Sequence, residues 1–136
     1  MSAGVVDTSA LVAIAKRDVG WRWLIEQMTV LDERLMAGPS VVELGMVLES
    51  RDPAAVNIGG RLTRDSRIDV VPFDGDLAER AMSAWRRFGE GRHPAALNLG
   101  DCFTYALADR EALPVLCVGD DFAQTDLDVT RPSADR

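Results

Sequence analysis

The stretch Gly4-Val5-Val6-Asp7-Thr8-Ser9 joins a short apolar run to a carboxylate and to two residues that favour the start of a helix. The apolar run predicts a buried strand, and Thr8 or Ser9 is expected to cap a helix over residues 10–15. Asp7 then stands at the carboxyl end of a buried strand, where a charge without a polar partner is costly. Ligands of α/β proteins bind at this edge of the sheet, so Asp7 is the first candidate functional residue.

The rest of the chain continues this alternation of strands and helices. Further strands are predicted at 35–37, 68–71, 115–118 and 127–129, and helices at about 19–28, 40–51, 54–64, 75–88 and 98–111, with Asp74 and Asn98 at the start of the last two. Strands separated by helices indicate a three-layer α/β/α sandwich with a central, mostly parallel sheet. We expect a single domain over residues 1–130 and a flexible polar tail over 131–136.

Charge limits how this protein can hold nucleic acid. The 136 residues include 15 basic and 22 acidic side chains, for a net charge of −7. A protein that binds RNA through a broad basic surface has the opposite balance. The basic residues are nearly all arginines, Lys16 being the sole lysine, and arginine suits bidentate contacts with phosphate.

The absence of targeting signals and the spacing of the cysteines indicate the cellular compartment of the protein. No apolar run approaches the roughly 20 residues that span a bilayer, and the N-terminus lacks the pattern of a signal peptide. Cys102 and Cys117 lie far apart without companion ligands at zinc-like spacing, which favours two reduced thiols. We expect a cytoplasmic protein with no membrane association.

Four more acidic residues fall where a predicted strand passes into a helix or a turn. They are Glu43, Asp101, Asp120 and Asp121. Because the carboxyl ends of parallel strands share one edge, we expect these residues to gather near Asp7. Clustered carboxylates repel one another unless a cation lies between them, and oxygen ligands suit Mg²⁺ and Mn²⁺. The pattern predicts metal-dependent phosphate chemistry, in which the ion activates water and stabilises charge on a phosphoryl oxygen.

The same acids have structural explanations. Ser40-x-x-Glu43 and Asn98-x-x-Asp101 both match the capping box, and Asp120-Asp121 after Gly119 is compatible with a simple turn. Their common position at one edge of the sheet favours a functional cluster. A hydroxyl of Thr8 or Ser9 is a candidate to support the cluster by bonding an aspartate or a water, in addition to a capping role.

Other phosphate-handling folds lack their defining residues here. The chain has no Gly-x-x-x-x-Gly-Lys-Ser/Thr loop and no nucleophile elbow of a serine hydrolase. A dehalogenase-type phosphatase needs a second aspartate at the position of Ser9. A response-regulator receiver needs a lysine near its last core strand, whereas Lys16 lies in the first helix.

Four blocks of sequence carry a family resemblance. They are Val-Val-Asp-Thr-Ser-Ala-Leu (5–11), Ser-Val-Val-Glu-Leu (40–44), Leu-Asn-Leu-Gly-Asp-Cys-Phe-Thr-Tyr-Ala-Leu-Ala (97–108) and Val-Gly-Asp-Asp-Phe-x-x-Thr-Asp (118–126). In order and spacing the chain resembles PIN-domain proteins, especially toxins of the VapC type, from residue 5 to about 128. The resemblance implies a ribonuclease requiring Mg²⁺ or Mn²⁺. Its catalytic residues are then Asp7, Glu43, Asp101 and either Asp120 or Asp121, and Asp7 and Asp101 are expected to hold the principal metal.

The resemblance also implies partners. Proteins of this type are toxins of bacterial toxin–antitoxin pairs that cut cellular RNA such as tRNA or rRNA. They form homodimers or hetero-oligomers with a VapB-like antitoxin, whose basic inhibitory arm would suit an acidic chain. The alternatives are a catalytically inactive PIN-like binding module, or a metal-dependent hydrolase of other phosphoesters or single-stranded DNA.

Several residues near the Asp101 block are candidates to contact RNA. Arg86, Arg87, Arg92 and His93 follow one another around the end of a predicted helix, although an ordinary solvated helix face is favoured for the arginines. For His93, a position in the loop or near the RNA without proton transfer is favoured over a role as the general acid. The spacing of Trp21, Trp23 and Trp85 favours packing in the core or an interface over stacking on RNA bases.

Overall fold

The structure is a computed structural model that describes residues 2–133. Its strands are β1 (Ala3–Val6), β2 (Glu33–Ala37), β3 (Asp69–Val71), β4 (Val115–Leu116) and β5 (Val129–Thr130). Its helices are α1 (Thr8–Lys16), α2 (Trp21–Thr29), α3 (Gly38–Arg51), α4 (Ile58–Asp65), α5 (Gly75–Phe88) and α6 (Leu99–Glu111), with a 3₁₀ turn at Phe122–Gln124. The predicted alternation of strands and helices is confirmed.

The five strands form one sheet in the order β3-β2-β1-β4-β5, and every pairing is parallel. β1 is the central strand, paired with β2 on one side and β4 on the other. Because all the strands run the same way, the residues that follow β1, β2, β4 and β5 emerge at one edge. This edge carries the predicted acidic residues.

Alternate residues of each strand face opposite layers of helices, as the pleat requires. Val5 and Val115 pack in a core with the apolar faces of α5 and α6. Val6 and Leu116 pack in a second core with α1, α2 and α3, and α4 closes that core at its margin. The predicted α/β/α sandwich is confirmed.

Two helix starts differ from the sequence prediction. The cap of α1 is Asp7, whose side chain accepts a hydrogen bond from the Ser9 N–H, so neither Thr8 nor Ser9 is the cap. α3 begins at Gly38, so Gly38-Pro39 forms its first turn instead of a separate turn before Ser40. Proline is well tolerated at this point, because the first N–H groups of a helix have no intrahelical acceptor.

The remaining boundaries need smaller corrections. α4 starts at Ile58, after a turn-rich stretch, where the prediction began at residue 54. β4 ends at Leu116 and the chain leaves the sheet before Val118. The capping roles of Asp74 and Asn98 are confirmed, because each side chain accepts a backbone hydrogen bond from the first turn of its helix.

Three further expectations concern the cysteines, the tail and the membrane. Cys102 and Cys117 are buried free thiols, as predicted. Residues 134–136 of the predicted tail lie outside the described residues. Between residues 2 and 133, none of the helices has the length and apolar character needed to cross a membrane.

Candidate active site

Asp7 is the most firmly held of the predicted site residues. Its side chain is only 4% exposed. One carboxylate oxygen, Oδ2, accepts a hydrogen bond from the Ser9 N–H at 3.0 Å, and the other, Oδ1, accepts one from the Thr104 hydroxyl at 2.6 Å. The Asp7 N–H donates to the carbonyl of Leu116 on β4. β1, α1 and α6 together therefore fix the position and the plane of this buried carboxylate.

The hydroxyls of Thr8 and Ser9 do not bond Asp7. Thr8 Oγ1 donates to the carbonyl of Ser40 at 3.2 Å, which ties α1 to the first turn of α3. Ser9 Oγ accepts from the Val118 N–H at 3.0 Å, which ties α1 to the segment that leads to Asp120 and Asp121. The two hydroxyls thus connect the elements around the site.

Glu43 lies in the second turn of α3 and does not form the capping box suggested by Ser40-x-x-Glu43. The helix starts before Ser40 and its cap position, Ala37, provides no side-chain hydrogen bond. The half-buried Glu43 carboxylate instead lies against the start of α6, where a methyl group added to Gly100 would be 2.1 Å from Oε2. Glu43 is therefore directed at the residue that precedes Asp101.

Asp101 forms the predicted capping box with Asn98. Its N–H donates to Asn98 Oδ1 at 2.9 Å, and its Oδ2 accepts from the Asn98 N–H at 3.1 Å. Burial first, and then the charges of Asp7, Asp121 and Glu43, raise the pKa of the Asp101 carboxyl to about 7 against the opposing effect of the Asn98 hydrogen bond. Asp101 is therefore a helix cap that also lies within the field of three other acids.

Asp120 and Asp121 are directed differently. The exposed Asp120 forms an ion pair with Arg131, whose Nη1 also donates to the carbonyl of Gly119. Asp121 acts on the pKa of Asp101 and on that of the buried Cys117 thiol, which burial and then the charge of Asp7 raise to about 12. Asp121 thus belongs electrostatically to the cluster of Asp7, Glu43 and Asp101, whereas Asp120 is neutralised outside it.

The cluster has the chemistry of a site for a hard cation. Its candidate ligands are all carboxylate oxygens, which suit Mg²⁺ and Mn²⁺. Burial and the charges of three neighbouring carboxylates raise the pKa of Asp101, and a bound divalent ion would favour its charged form. In the described part of the chain, no three Asp, Glu, His or Cys side chains are already arranged to hold an ion.

The residues predicted to contact RNA have other contacts. Arg87 forms an ion pair with Asp126 and a hydrogen bond with the Tyr105 hydroxyl. Arg92 lies over the ring of Trp85 at 4.1 Å, and His93 Nδ1 accepts from the Ala95 N–H while its ring packs edge-on against Phe88. Arg86 is exposed on α5. His93 thus contributes to the structure of its loop, and its contact with RNA stays a prediction.

The tryptophans are partly buried or covered by arginines. The guanidinium groups of Arg17 and Arg22 lie 5.4 and 4.7 Å from the centre of the Trp21 ring. Trp23 packs against the core formed by α1, α2 and α3, and Trp85 is 38% exposed on α5. Packing is therefore the main role visible for Trp23.

Three residues at this edge were missed by the sequence reasoning. Thr104 bonds Asp7, Gly100 makes room for Glu43, and Arg131 neutralises Asp120. The sequence did contain a sign of the role of Thr104. In the largely apolar run Cys102–Ala108, only Thr104 and Tyr105 carry a hydroxyl group, and Thr104 follows Asp101 by nearly one helical turn.

Comparisons with known proteins agree with this fold. The PIN domain family model matches residues 4–127. The ribonuclease VapC42 of Mycobacterium tuberculosis is 42% identical over 125 residues, which cover 90% of this chain and 95% of the relative. The ribonuclease VapC36 of the same organism is 40% identical over 126 residues, or 91% of each chain.

Among solved structures, M. tuberculosis VapC20, described as a toxin that cleaves the sarcin–ricin loop, matches with a TM-score of 0.71 at 17% identity and covers 96% of this chain and all of that one. A toxin–antitoxin complex from Klebsiella pneumoniae matches with a TM-score of 0.69 at 18% identity, covering 93% of this chain and 95% of that one. These two likenesses concern the fold, and the curated relatives give the assignment. The chain belongs to the PIN domain family and, within it, to the VapC ribonucleases.

Proposed function

We propose that this protein is an endoribonuclease that requires Mg²⁺ or Mn²⁺ and acts in the cytoplasm as the toxin of a toxin–antitoxin pair. The observation that carries the proposal is the electrostatic coupling of Asp101 to Asp7, Glu43 and Asp121 at one edge of the sheet. Repulsion among buried or half-buried carboxylates lowers stability unless a cation is bound. The ribonuclease relatives at about 40% identity support RNA as the substrate.

Each side chain then has a distinct role. Asp7 and Asp101 would hold the metal, which supplies an activated water and stabilises the charge of the phosphodiester. Glu43 and Asp121 would complete the acidic shell and orient the attacking water through their free oxygens. Asp120 is the weaker candidate for the fourth acid, because Arg131 already neutralises it. Solvent is the simplest proton donor to the leaving oxygen.

Partners follow from the same relatives and from charge. We propose that cellular RNA such as tRNA or rRNA is the target, and that a VapB-like antitoxin inhibits the protein with a basic segment laid over the acidic edge. Solved toxin–antitoxin complexes of similar fold support this partner. The net charge of −7 favours a basic inhibitor on electrostatic grounds. A homodimer or a hetero-oligomer with the antitoxin is the proposed assembly.

The test is cleavage of total cellular RNA by the purified protein with Mg²⁺, with Mn²⁺ and with EDTA. We expect discrete fragments that require metal and disappear with Asp7→Asn. Asp65→Asn is the matched control, because Asp65 is an exposed aspartate at the end of α4, and it should leave the fragments unchanged. In the same assay Asp121→Asn should reduce cleavage far more than Asp120→Asn.

Two results would contradict the proposal. The first is an absence of cleavage of tRNA, rRNA and total RNA by well-folded protein in the presence of either metal. The second is cleavage that persists in EDTA or in the Asp7→Asn variant, since such activity would not depend on the acidic cluster. A larger loss with Asp120→Asn than with Asp121→Asn would reverse the assignment of the fourth acid.

A further inference from the structure

Among the described residues, only two hydrogen-bond donors contact the Asp7 carboxylate, and they lie far apart in the sequence. Ser9 donates through its backbone, so that bond exists whatever side chain occupies position 9. Thr104 donates through its side chain, at 2.6 Å and across 97 positions of sequence. Among the side chains of the described residues, the Thr104 hydroxyl is therefore the one that orients the Asp7 carboxylate.

The Thr104 hydroxyl is suited to this role by burial. The residue is 1% exposed and Asp7 is 4% exposed, so water does not compete for either partner. Hydrogen bonds from a neutral donor to a charged acceptor are stronger than neutral pairs, and a low local dielectric strengthens them. A threonine in a helix commonly bonds a carbonyl in the preceding turn. Here the hydroxyl bonds the carboxylate instead.

Spacing along α6 links Thr104 to the second proposed metal ligand. Asp101 and Thr104 are three positions apart in the same helix, so their side chains lie on one face about a turn apart. Asp101 is itself fixed by the capping box at the start of α6. One rigid helix therefore provides one carboxylate directly and orients the other through a hydroxyl.

We propose that Thr104 is a positioning residue that orients Asp7 for the divalent metal. This inference rests on the proposed function, because it assigns a role toward the same site. Residues that hydrogen-bond a metal ligand typically change metal affinity by about 10- to 100-fold when they are replaced. Thr104 sets the Asp7 carboxylate before the ion arrives and contacts neither the metal nor the RNA.

The experiment measures Mn²⁺ binding by calorimetry for the full chain and its variants, independently of cleavage. Thr104→Val keeps the shape of the side chain and removes the hydroxyl, and it should weaken Mn²⁺ binding by about 10- to 100-fold. Thr104→Ser keeps the hydroxyl and should bind within about threefold of the parent chain. Thr104→Ala, compared with Thr104→Ser, isolates the one oxygen atom if the valine variant fails to fold.

A second buried threonine provides the matched control. Thr63 is 4% exposed, lies in α4 and donates to the carbonyl of Gly59 within its own helix. Thr63→Val should alter thermal stability while leaving Mn²⁺ affinity unchanged. The concentration of Mn²⁺ that gives half-maximal RNA cleavage should rise in Thr104→Val and Thr104→Ala by the same factor as the dissociation constant, and should not rise in Thr63→Val.

The outcomes separate the two proposals. If the parent chain binds Mn²⁺ and cleaves RNA, and folded Thr104→Ala binds Mn²⁺ as tightly as Thr104→Ser, the role of Thr104 is refuted while the nuclease stands. Loss of thermal stability in the Thr104 variants with unchanged affinity would likewise show a purely structural residue. If the parent chain neither binds Mn²⁺ nor cleaves RNA, the proposed function fails and the role of Thr104 fails with it.

Discussion

The same sequence pattern occurs near the starts of α3 and α6, and its residues make different contacts in the two helices. In each, a small polar residue is followed three positions later by an acid. In α6, Asn98 and Asp101 exchange two hydrogen bonds and form a capping box. In α3, the Ser40 hydroxyl is buried without a partner in the described structure, and Glu43 extends to the other helix instead.

The starting point of α3 accounts for the difference. The helix begins at Gly38, two residues before Ser40, so Ser40 is already helical. A capping box requires its first residue to be outside the helix. Glu43 therefore does not cap its helix and can contribute to the acidic cluster, whereas Asp101 both caps α6 and belongs to the cluster. The residue at which the helix starts, more than the spacing of the two residues, therefore decides what the acid does.

Gly100 is the point at which the two helix starts meet, and Gly100→Ala is expected to have the largest effect. The added methyl group would lie 2.1 Å from Glu43 Oε2 and 2.7 Å from its Cδ. These atoms end a flexible side chain, so α6 should stay in place and Glu43 should turn away. We expect RNA cleavage to fall by about 100-fold, the scale of a misplaced group at an active site, while urea unfolding shows little change in stability.

The matched control for this substitution is Gly45→Ala in α3. A methyl group there would have no atom within 4 Å. It should raise stability by up to about 1 kcal/mol, as alanine does in a helix interior, and leave cleavage unchanged. Cleavage by Gly100→Ala at the parent rate would show that the position of Glu43 against α6 has no part in the reaction.

Much of the fold was predictable because its signals are local. Apolar runs at Val5–Val6 and Val115–Leu116 marked strands, and Asp74 and Asn98 marked helix starts through caps that the structure confirms. The start of α3 was not predictable in this way, because Gly38-Pro39 is compatible with both a turn and a first helical turn. Tertiary packing decides between them.

The side-chain directions at the candidate site depend on long-range contacts. The sequence placed all the acids at one edge of the sheet but left Asp120 and Asp121 equivalent. Their difference arises from Arg131 after β5, which pairs with Asp120. The bond between Thr104 and Asp7 likewise joins residues 97 positions apart. Neither contact follows from a local pattern.

The pH dependence of stability tests the double role of Asp101. We expect Asp101→Asn to have an intermediate effect on the free energy of unfolding. The folded protein holds the Asp101 proton with a pKa of about 7, above the ordinary value of 3.8. A raised pKa in the folded state adds stability at low pH that is lost as pH rises from about 4 to about 7. Asparagine keeps an acceptor for the Asn98 N–H and does not titrate, so the variant should escape this loss.

Urea unfolding in EDTA at pH 4 and pH 8 measures the difference. At pH 8 the variant should be more stable than the parent by about 2 kcal/mol. This is roughly half of the free energy that corresponds to the pKa shift of Asp101, because partial exposure screens the charge. At pH 4 this advantage should vanish. Mn²⁺ at pH 8 should stabilise the parent more than the variant. An equal gap at both pH values would contradict a titrating Asp101.

The smallest expected effects compare the two polar residues themselves, through Asn98→Ala and Ser40→Ala. Asn98→Ala removes a real cap and should lower the free energy of unfolding by about 1 kcal/mol. Ser40→Ala removes a buried hydroxyl that has no hydrogen-bond partner in the described structure, so stability should stay the same or rise by up to about 1 kcal/mol. The Ser40 carbonyl, which accepts from Thr8, is retained in the variant.

Urea unfolding of both variants in EDTA at pH 7 measures this pair, with far-UV circular dichroism to confirm that the helices remain. The Asn98 variant should lose stability, whereas the Ser40 variant should gain stability or keep that of the parent. Equal losses would mean that Ser40 also caps its helix and that α3 begins later than at Gly38. Glu43 would then be a capping residue, and its contact with Gly100 would be secondary.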